Sequence, residues 1–264
     1  MKGSTLWHPW RLAGAGAAAV MSIVPRRRRF DAAVLFARPL VEILRRTPQY
    51  RLLDSTAFNS DADIALHLLL HTLTANGAAF DPLVRIDGYE RFAAAHRRGR
   101  GVLLVAVHTP LVLLMLRRFH DDGMAPFVVA ADPALRVAGT NVIADTVQPS
   151  ANMLVQIRNR LRQGRLVCAM LDGGACPKPR MTEVDTPLGR VRFSPELLHV
   201  AARCGAAVAF SEAHLEGRRV HGAIAVGSAA GGAAVEQEYI DFIRSVIGRR
   251  AASAPIVRLE RAAT

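Results

Sequence analysis

The chain has 264 residues, and 51% of them are hydrophobic, which is enough apolar material for the core of one large domain. Its formal net charge is +12, and all of its 34 basic residues except Lys2 and Lys178 are arginine. Three Tyr and two Trp provide few rings on which bases could stack, and no DNA-binding motif is visible. The composition therefore argues against a nucleic-acid-binding protein, although the charge alone would permit one.

Much of the positive charge lies in residues 1–51, which contain ten Lys and Arg against Asp31 and Glu42. An apolar stretch at 12–24 is too short to span a bilayer comfortably, and the four arginines Arg26–Arg29 follow it rather than precede it. We therefore expect a basic, amphipathic, helical segment on an anionic membrane surface, peripheral or shallowly anchored. The alternative is an ordinary helix pair packed on the domain, with the arginines in water.

Apolar runs and helical patterns alternate between residues 84 and 211. This alternation predicts an α/β domain over residues 52–250, with a largely parallel mixed sheet flanked by helices. Residues 251–264 are expected to form a loosely held tail.

The central strand is predicted at residues 102–107, where six apolar residues follow one another without alternation. Such a run is typical of a strand that is covered on both faces. His108 ends it, and Thr109 and Pro110 are typical of a helix start, as N-cap and first helical residue.

Four polar residues follow predicted strands: His108, Asp132, Asp172 and Glu212. Because parallel strands end at one edge of a sheet, where α/β folds have their ligand crevices, we expect these residues to gather there. His108 suits a general base at neutral pH, or else a hydrogen-bonded histidine that closes a strand. Asp172 is a candidate acid of the same site, or the start of an Asx turn before two glycines.

A basic segment follows Asp172 and contains Lys178, Arg180, Arg190 and Arg192. Guanidinium groups there suit bidentate contact with a phosphate, and the helix that Ser194 is predicted to cap adds backbone N–H donors. A solvated basic loop is the alternative. The predicted substrate-binding residues are Arg180, Arg190, Arg192 and Ser194.

Metal and nucleophile motifs are weak in this chain. His67 and His71 share one helical face, but no third metal ligand is evident nearby, so no metal site and no bound cofactor are predicted. No Gly-x-Ser-x-Gly elbow occurs. The three cysteines lack metal or redox spacing, which favours reduced thiols in a cytoplasmic setting.

Three segments resemble the bacterial lipid A late acyltransferases of the lysophospholipid acyltransferase superfamily. They are VRIDGYERFAAAHRRGRGVLLVAVHTPLVLL, LVCAMLDGG and PLGRVRFSPELLHVAARCGAAVAF, within residues 84–215. In that family an Asp or Glu five residues after the histidine orients the imidazole, whereas this chain has Leu113. The family also has an acid after the strand that corresponds to the one before Asp172.

The resemblance implies a membrane-associated acyltransferase on the cytoplasmic face of the inner membrane. Its co-substrate would be an acyl thioester of acyl carrier protein or coenzyme A, and its acceptor a hydroxyl of a lipid or glycolipid, such as a lipid A-like molecule. His108 would be the general base, and Asp172 would orient it or contact the acceptor. The alternative, suggested by Leu113, is a catalytically inactive relative that binds lipid or serves as an accessory subunit.

Overall fold

A computed structural model describes residues 19–21, 23–45, 65–66, 69–70, 73–74, 79–106, 111–130, 133–171, 181–187, 189–228 and 231–253. The strands are β1 (Val84–Asp87), β2 (Val102–Ala106), β3 (Phe127–Val129), β4 (Asp145–Val147), β5 (Leu166–Met170), β6 (Thr182–Thr186), β7 (Gly189–Phe193), β8 (Ala207–Glu216) and β9 (Arg219–Val226). The helices of four residues or more are α1 (Arg26–Arg45), α2 (Tyr89–Arg97), α3 (Val112–Asp121), α4 (Met153–Arg162), α5 (Glu196–Arg203) and α6 (Gly232–Ser253). Within these ranges, no helix combines the length and the apolar character needed to cross a bilayer.

Seven strands form one mixed sheet in the order β1-β9-β8-β2-β5-β3-β4. The five strands from β8 to β4 are mutually parallel, whereas β9 pairs antiparallel with β8, and β1 pairs parallel with β9. The predicted α/β class with a largely parallel mixed sheet is therefore confirmed. Strands β6 and β7 form a separate antiparallel hairpin.

The sheet is the middle of three layers. All five residues of β2 are buried, as its unbroken apolar run predicts. One face of the sheet packs with α1, α2 and α3 in a first core that includes Leu104, Phe92 and Phe119. The other face packs with α4, α5, α6 and the hairpin in a second core that includes Phe210 and Tyr239.

Two predictions about strands were wrong. The apolar segment 220–226 predicts a further strand at an edge of the sheet, but β9 lies inside the sheet, because β1 pairs with its other side. Glu212 was expected just beyond a strand, but β8 continues to Glu216, because its last residues pair with β9 instead of β2. Glu212 therefore lies within a strand, one residue beyond the segment that pairs with β2.

Pro39 predicts an interruption of the helical pattern at residues 30–46, but α1 contains this proline and continues to Arg45. Its buried face, which includes Phe30 and Val34, packs into the first core, and this packing offsets the backbone hydrogen bond that proline cannot donate. The sequence also predicts a helix at residues 60–76, with Ser60 as its N-cap, and the structure describes this stretch only at three pairs of residues, all helical and buried. His67 and His71 lie outside the described residues.

Candidate functional site at the strand ends

The central strand β2 pairs with β5 on one side and with β8 on the other, and both pairings stop at the same level of the sheet. Ala106 of β2 pairs with Met170 of β5 on one side and with Ser211 of β8 on the other. His108 follows Ala106 by two residues, and Asp172 follows Met170 by two residues. His108, Asp132, Asp172 and Arg180 themselves lie outside the described residues, so their predicted roles stay predictions.

Leu113 occupies the place where the resembled family has its acid. It lies in the first turn of α3, where its half-buried side chain packs against the first core. A hydrocarbon side chain in this position can neither fix an imidazole tautomer nor stabilise an imidazolium. Any carboxylate that assists His108 must therefore come from another element.

Glu212 is a carboxylate at the level of these strand ends. It is only 4% exposed, and its Oε1 accepts a hydrogen bond of 2.5 Å from Nη2 of Arg249 in α6. The Arg249 side chain is 58% exposed, so the ion pair is buried at its acidic end and in contact with solvent at its basic end. A buried carboxylate is costly unless it is paired, and Arg249 supplies the opposite charge.

The sequence contained a signal for this ion pair, although it did not reveal the partner. Glu212 follows the apolar residues 207–210 closely, and an acid that is buried in such a segment requires an opposite charge nearby. The position of Arg249 near the end of the last helix could not be matched to it, because that contact depends on how α6 packs across the sheet. The role of Arg249 was therefore missed.

Ser194 lies beside the end of β5, since its backbone N–H donates a 3.3 Å hydrogen bond to the carbonyl oxygen of Leu171. The prediction that Ser194 caps α5 was wrong: Pro195 occupies the N-cap position, and no side chain caps the helix. The Ser194 Oγ is buried and has no hydrogen-bond partner among the described residues. Since an unpaired buried hydroxyl costs about 1–3 kcal/mol, this oxygen is available to a bound polar group.

Arg190 and Arg192 lie on the exposed face of the β6–β7 hairpin and not in a loop. Arg190 Nε is 2.9 Å from the Oδ1 of Asp185, and Arg192 Nε is 3.1 Å from the Oε1 of Glu183. The hydrogen bond to Asp185 makes the largest contribution to the raised pKa of Arg190. Binding an anion at either arginine would therefore mean exchanging an existing cross-strand ion pair.

Comparison with known proteins does not assign this chain to a family. No protein-family model matches it, and no curated protein is significantly similar to it. The described residues also contain no group of three or more His, Cys, Asp or Glu arranged to hold a metal ion.

Proposed function

We propose that this protein is an acyltransferase that moves a fatty acyl chain from an acyl thioester to a hydroxyl of a lipid or glycolipid. The donor would be acyl carrier protein or coenzyme A, and a lipid A-like molecule is one candidate acceptor. The observation that supports this proposal best is that β2 stops pairing with β5 and with β8 at one level of the sheet. His108 and Asp172 follow the last paired residues of β2 and β5 by two positions, and the buried Glu212 follows the last residue of β8 that pairs with β2 by one.

In the proposed reaction the neutral imidazole of His108 accepts the proton of the acceptor hydroxyl. The hydroxyl oxygen forms a new bond to the thioester carbonyl carbon, and the carbon–sulfur bond breaks. The departing thiolate takes the proton from the imidazolium, so that the products are an ester and a free thiol. No enzyme-bound acyl intermediate and no cofactor is required.

Two carboxylates are candidates for orienting His108. Asp172 is the candidate from the sequence, and Glu212 is a candidate because it is buried beside the strand that precedes His108. The unpaired Ser194 Oγ beside Leu171 is a candidate contact for the acceptor or the donor, and Arg180 remains a candidate for a phosphate.

The described part of the N-terminal segment supports peripheral contact with an anionic membrane. Ile23, Leu35 and Phe36 are 84%, 54% and 51% exposed, respectively. Arg27 and Arg28 belong to the same segment, are exposed, and have no ion-pair partner among the described residues. Apolar side chains next to unpaired arginines are typical of a surface that enters the headgroup region of anionic lipids.

Thioester turnover by the wild type and His108→Ala tests the proposed reaction. We expect the release of free thiol in the presence of a lipid acceptor to fall at least about a hundredfold in the variant, the usual scale of general-base loss. His120→Ala, at the end of α3, is the matched control and should keep the wild-type rate. Equal rates for wild type and His108→Ala would refute the proposal.

The alternative is an inactive lipid-binding or accessory protein, and the packing of Leu113 in the first core favours it. Leu113→Glu tests this alternative, with the volume-conserving Leu113→Met as its control. If the wild type binds lipid without turnover and Leu113→Glu acquires turnover, the natural chain is a lapsed enzyme. If the wild type turns over thioester, the alternative is excluded.

A further inference from the structure

A groove of about 1140 Å³ lies along the edge strand β1. Four arginines line it, each from a different element: Arg85 of β1, Arg91 of α2, Arg118 of α3 and Arg219 of β9. Only two acids, Asp87 and Glu90, are among its lining residues. No sequence pattern predicts this groove, because the four arginines are separated along the chain and form no basic run.

Gly88 allows α2 to start against β9 at the floor of the groove. Its φ is +78°, and a Cβ at this position would be 2.0 Å from the carbonyl oxygen of Ile224. Any other residue would therefore clash with the backbone of β9. The close approach positions Glu90 and Arg91, in the first turn of α2, beside the strands.

Two of the four arginines are held by neighbouring groups. Arg85 Nε is 3.1 Å from Asp87 Oδ1, and the other oxygen of Asp87 is 2.9 Å from Nε2 of His221. Arg118 lies over the ring of Tyr89, with 5.1 Å between Cζ and the ring centroid, and donates a 3.0 Å hydrogen bond to Asp122.

Tyr89 also donates a hydrogen bond to Asp122, and its ring stacks on Phe119. Burial, followed by the hydrogen bond to Asp122, raises the pKa of Tyr89 to about 12. The phenol therefore stays protonated at neutral pH and remains a donor. Arg118 and Tyr89 therefore form one wall of the groove, and Asp122 holds both of them by hydrogen bonds.

The other two arginines of the groove, Arg91 and Arg219, are exposed. Neither guanidinium has an ion-pair or side-chain hydrogen-bond partner among the described residues. Two uncompensated guanidinium groups that line one groove favour an anion with several oxygens, because each guanidinium can donate two parallel hydrogen bonds to it.

We propose that this groove binds a ligand that bears a phosphate group, with Arg91 and Arg219 as its contacts to the phosphate. A phosphate offers enough oxygens for two guanidinium groups at once, whereas a single carboxylate is filled by one bidentate arginine. The groove is larger than a lone phosphate needs and is comparable with pockets for whole small molecules. The ligand is therefore a phosphate attached to a larger body.

The rest of the groove indicates where that body lies. Val84 and Ile86 of β1 and Ile224 and Val226 of β9 line it with hydrocarbon. Both a phospholipid headgroup with its first acyl carbons and a free phosphorylated metabolite match this combination of guanidinium and apolar surface. Both kinds of ligand would offer a phosphate to the arginines, but only the phospholipid would also contact the hydrocarbon of β1 and β9.

The site is separate from the one proposed for acyl transfer. Strand β1 is three strands away from β2 in the sheet order, which corresponds to about 14 Å at the usual strand spacing. Binding at the groove requires neither His108 nor an acyl donor, so the two proposals can fail independently.

Calorimetric titration of the full chain tests the proposal, with glycerol 3-phosphate and, separately, dihexanoyl phosphatidate below its micelle concentration. We expect saturable binding to the wild type and binding at least about tenfold weaker to Arg91→Gln/Arg219→Gln. The control Arg97→Gln/Arg162→Gln removes the same charge from two exposed arginines outside the groove and should bind as the wild type does.

The comparison between the two ligands identifies the source of the phosphate. Binding of the lipid at least tenfold tighter than glycerol 3-phosphate supports a lipid headgroup, because only the lipid reaches the hydrocarbon of β1 and β9. Similar affinities support a free phosphorylated metabolite. Absence of binding to the folded wild type, or equal losses in the groove variant and the control variant, would overturn the proposal.

Discussion

Glu212 of β8 and Arg249 of α6 form an ion pair, with 2.5 Å between Oε1 and Nη2, that joins the sheet to the last helix beside the candidate site. The carboxylate is nearly inaccessible, whereas more than half of the arginine side chain is exposed. The pair therefore fixes the position of a buried charge without burying both partners. This asymmetry allows the two residues to be tested separately.

Arg249→Ala should lower the free energy of unfolding by about 1–3 kcal/mol, the range for a hydrogen bond to a charged group that remains buried. The measurement is urea-induced unfolding followed by circular dichroism. Arg244→Ala, in the same helix, removes an exposed arginine 3.9 Å from Asp241 and should cost less than about 1 kcal/mol. A loss no larger for Arg249→Ala than for Arg244→Ala would contradict a stabilising role for the Glu212–Arg249 pair.

Glu212→Gln and Asp172→Asn identify the carboxylate that orients His108. The variant that loses the orienting acid should show kcat reduced at least about tenfold. Its pH–rate profile should have a lower imidazole pKa, because a nearby carboxylate stabilises the imidazolium and raises that pKa. A residue with a purely structural role would leave the profile unchanged.

The control for that experiment is Glu216→Gln, at the exposed end of the same strand. If neither Glu212→Gln nor Asp172→Asn shifts the pH–rate profile, neither acid acts on His108. The direct-transfer mechanism would then operate without a carboxylate partner.

The sequence predicted those parts of the fold that local pattern determines. The uniform apolar run of β2 predicts its position and its burial on both faces. The helical spacing of the apolar residues at 235–248 likewise predicts an amphipathic helix with Tyr239 and Ile243 on its core face, and both are buried. The hairpin β6–β7 was missed, because the basic residues Lys178, Arg180, Arg190 and Arg192 suggested a loop. The cross-strand ion pair of Arg192 with Glu183 became visible only with the register.

The candidate site was predicted only in outline, for a similar reason. That strands end together at one edge follows from an α/β pattern, and it led to His108 and Asp172. Which side chains meet across the sheet depends on contacts between distant segments, such as β1 with β9 and Arg249 with Glu212. Neither contact can be predicted from the spacing of residues within one segment of the sequence.

Arg27→Gln/Arg28→Gln should weaken binding to vesicles that contain phosphatidylglycerol by about thirtyfold, given about 1 kcal/mol for each arginine near an anionic surface. Co-sedimentation with vesicles measures the effect. Arg97→Gln/Arg162→Gln makes the same change of charge elsewhere and should bind as tightly as the wild type. Unchanged co-sedimentation of the first variant would argue against membrane contact through α1.

The pKa of the Asp87 carboxyl group should lie below the ordinary value for an aspartate. The hydrogen bond from His221 is the largest cause that lowers the pKa of this carboxyl, and Arg85 lowers it further. A carboxyl whose pKa is lower in the folded state stabilises the fold above its unfolded pKa of about 3.9, and this contribution is lost as the pH falls through the folded value.

A carbon-detected NMR titration of the carboxyl groups measures this directly. The midpoint of Asp87 should rise in His221→Ala and stay unchanged in His120→Ala, which removes an imidazole outside the groove. The same midpoint in wild type and His221→Ala would show that the histidine does not stabilise the carboxylate.

Because β1 pairs with β9, the sheet cannot form completely on the ribosome until β9 has been synthesised. Strand β1 is synthesised long before β9, which is its neighbour among the strands that the structure describes. Until β9 is made, none of the described strands lies beside Val84 and Ile86. A nascent chain arrested before residue 219 would therefore expose an open strand to chaperones and proteases and would lack the arginine-lined groove altogether.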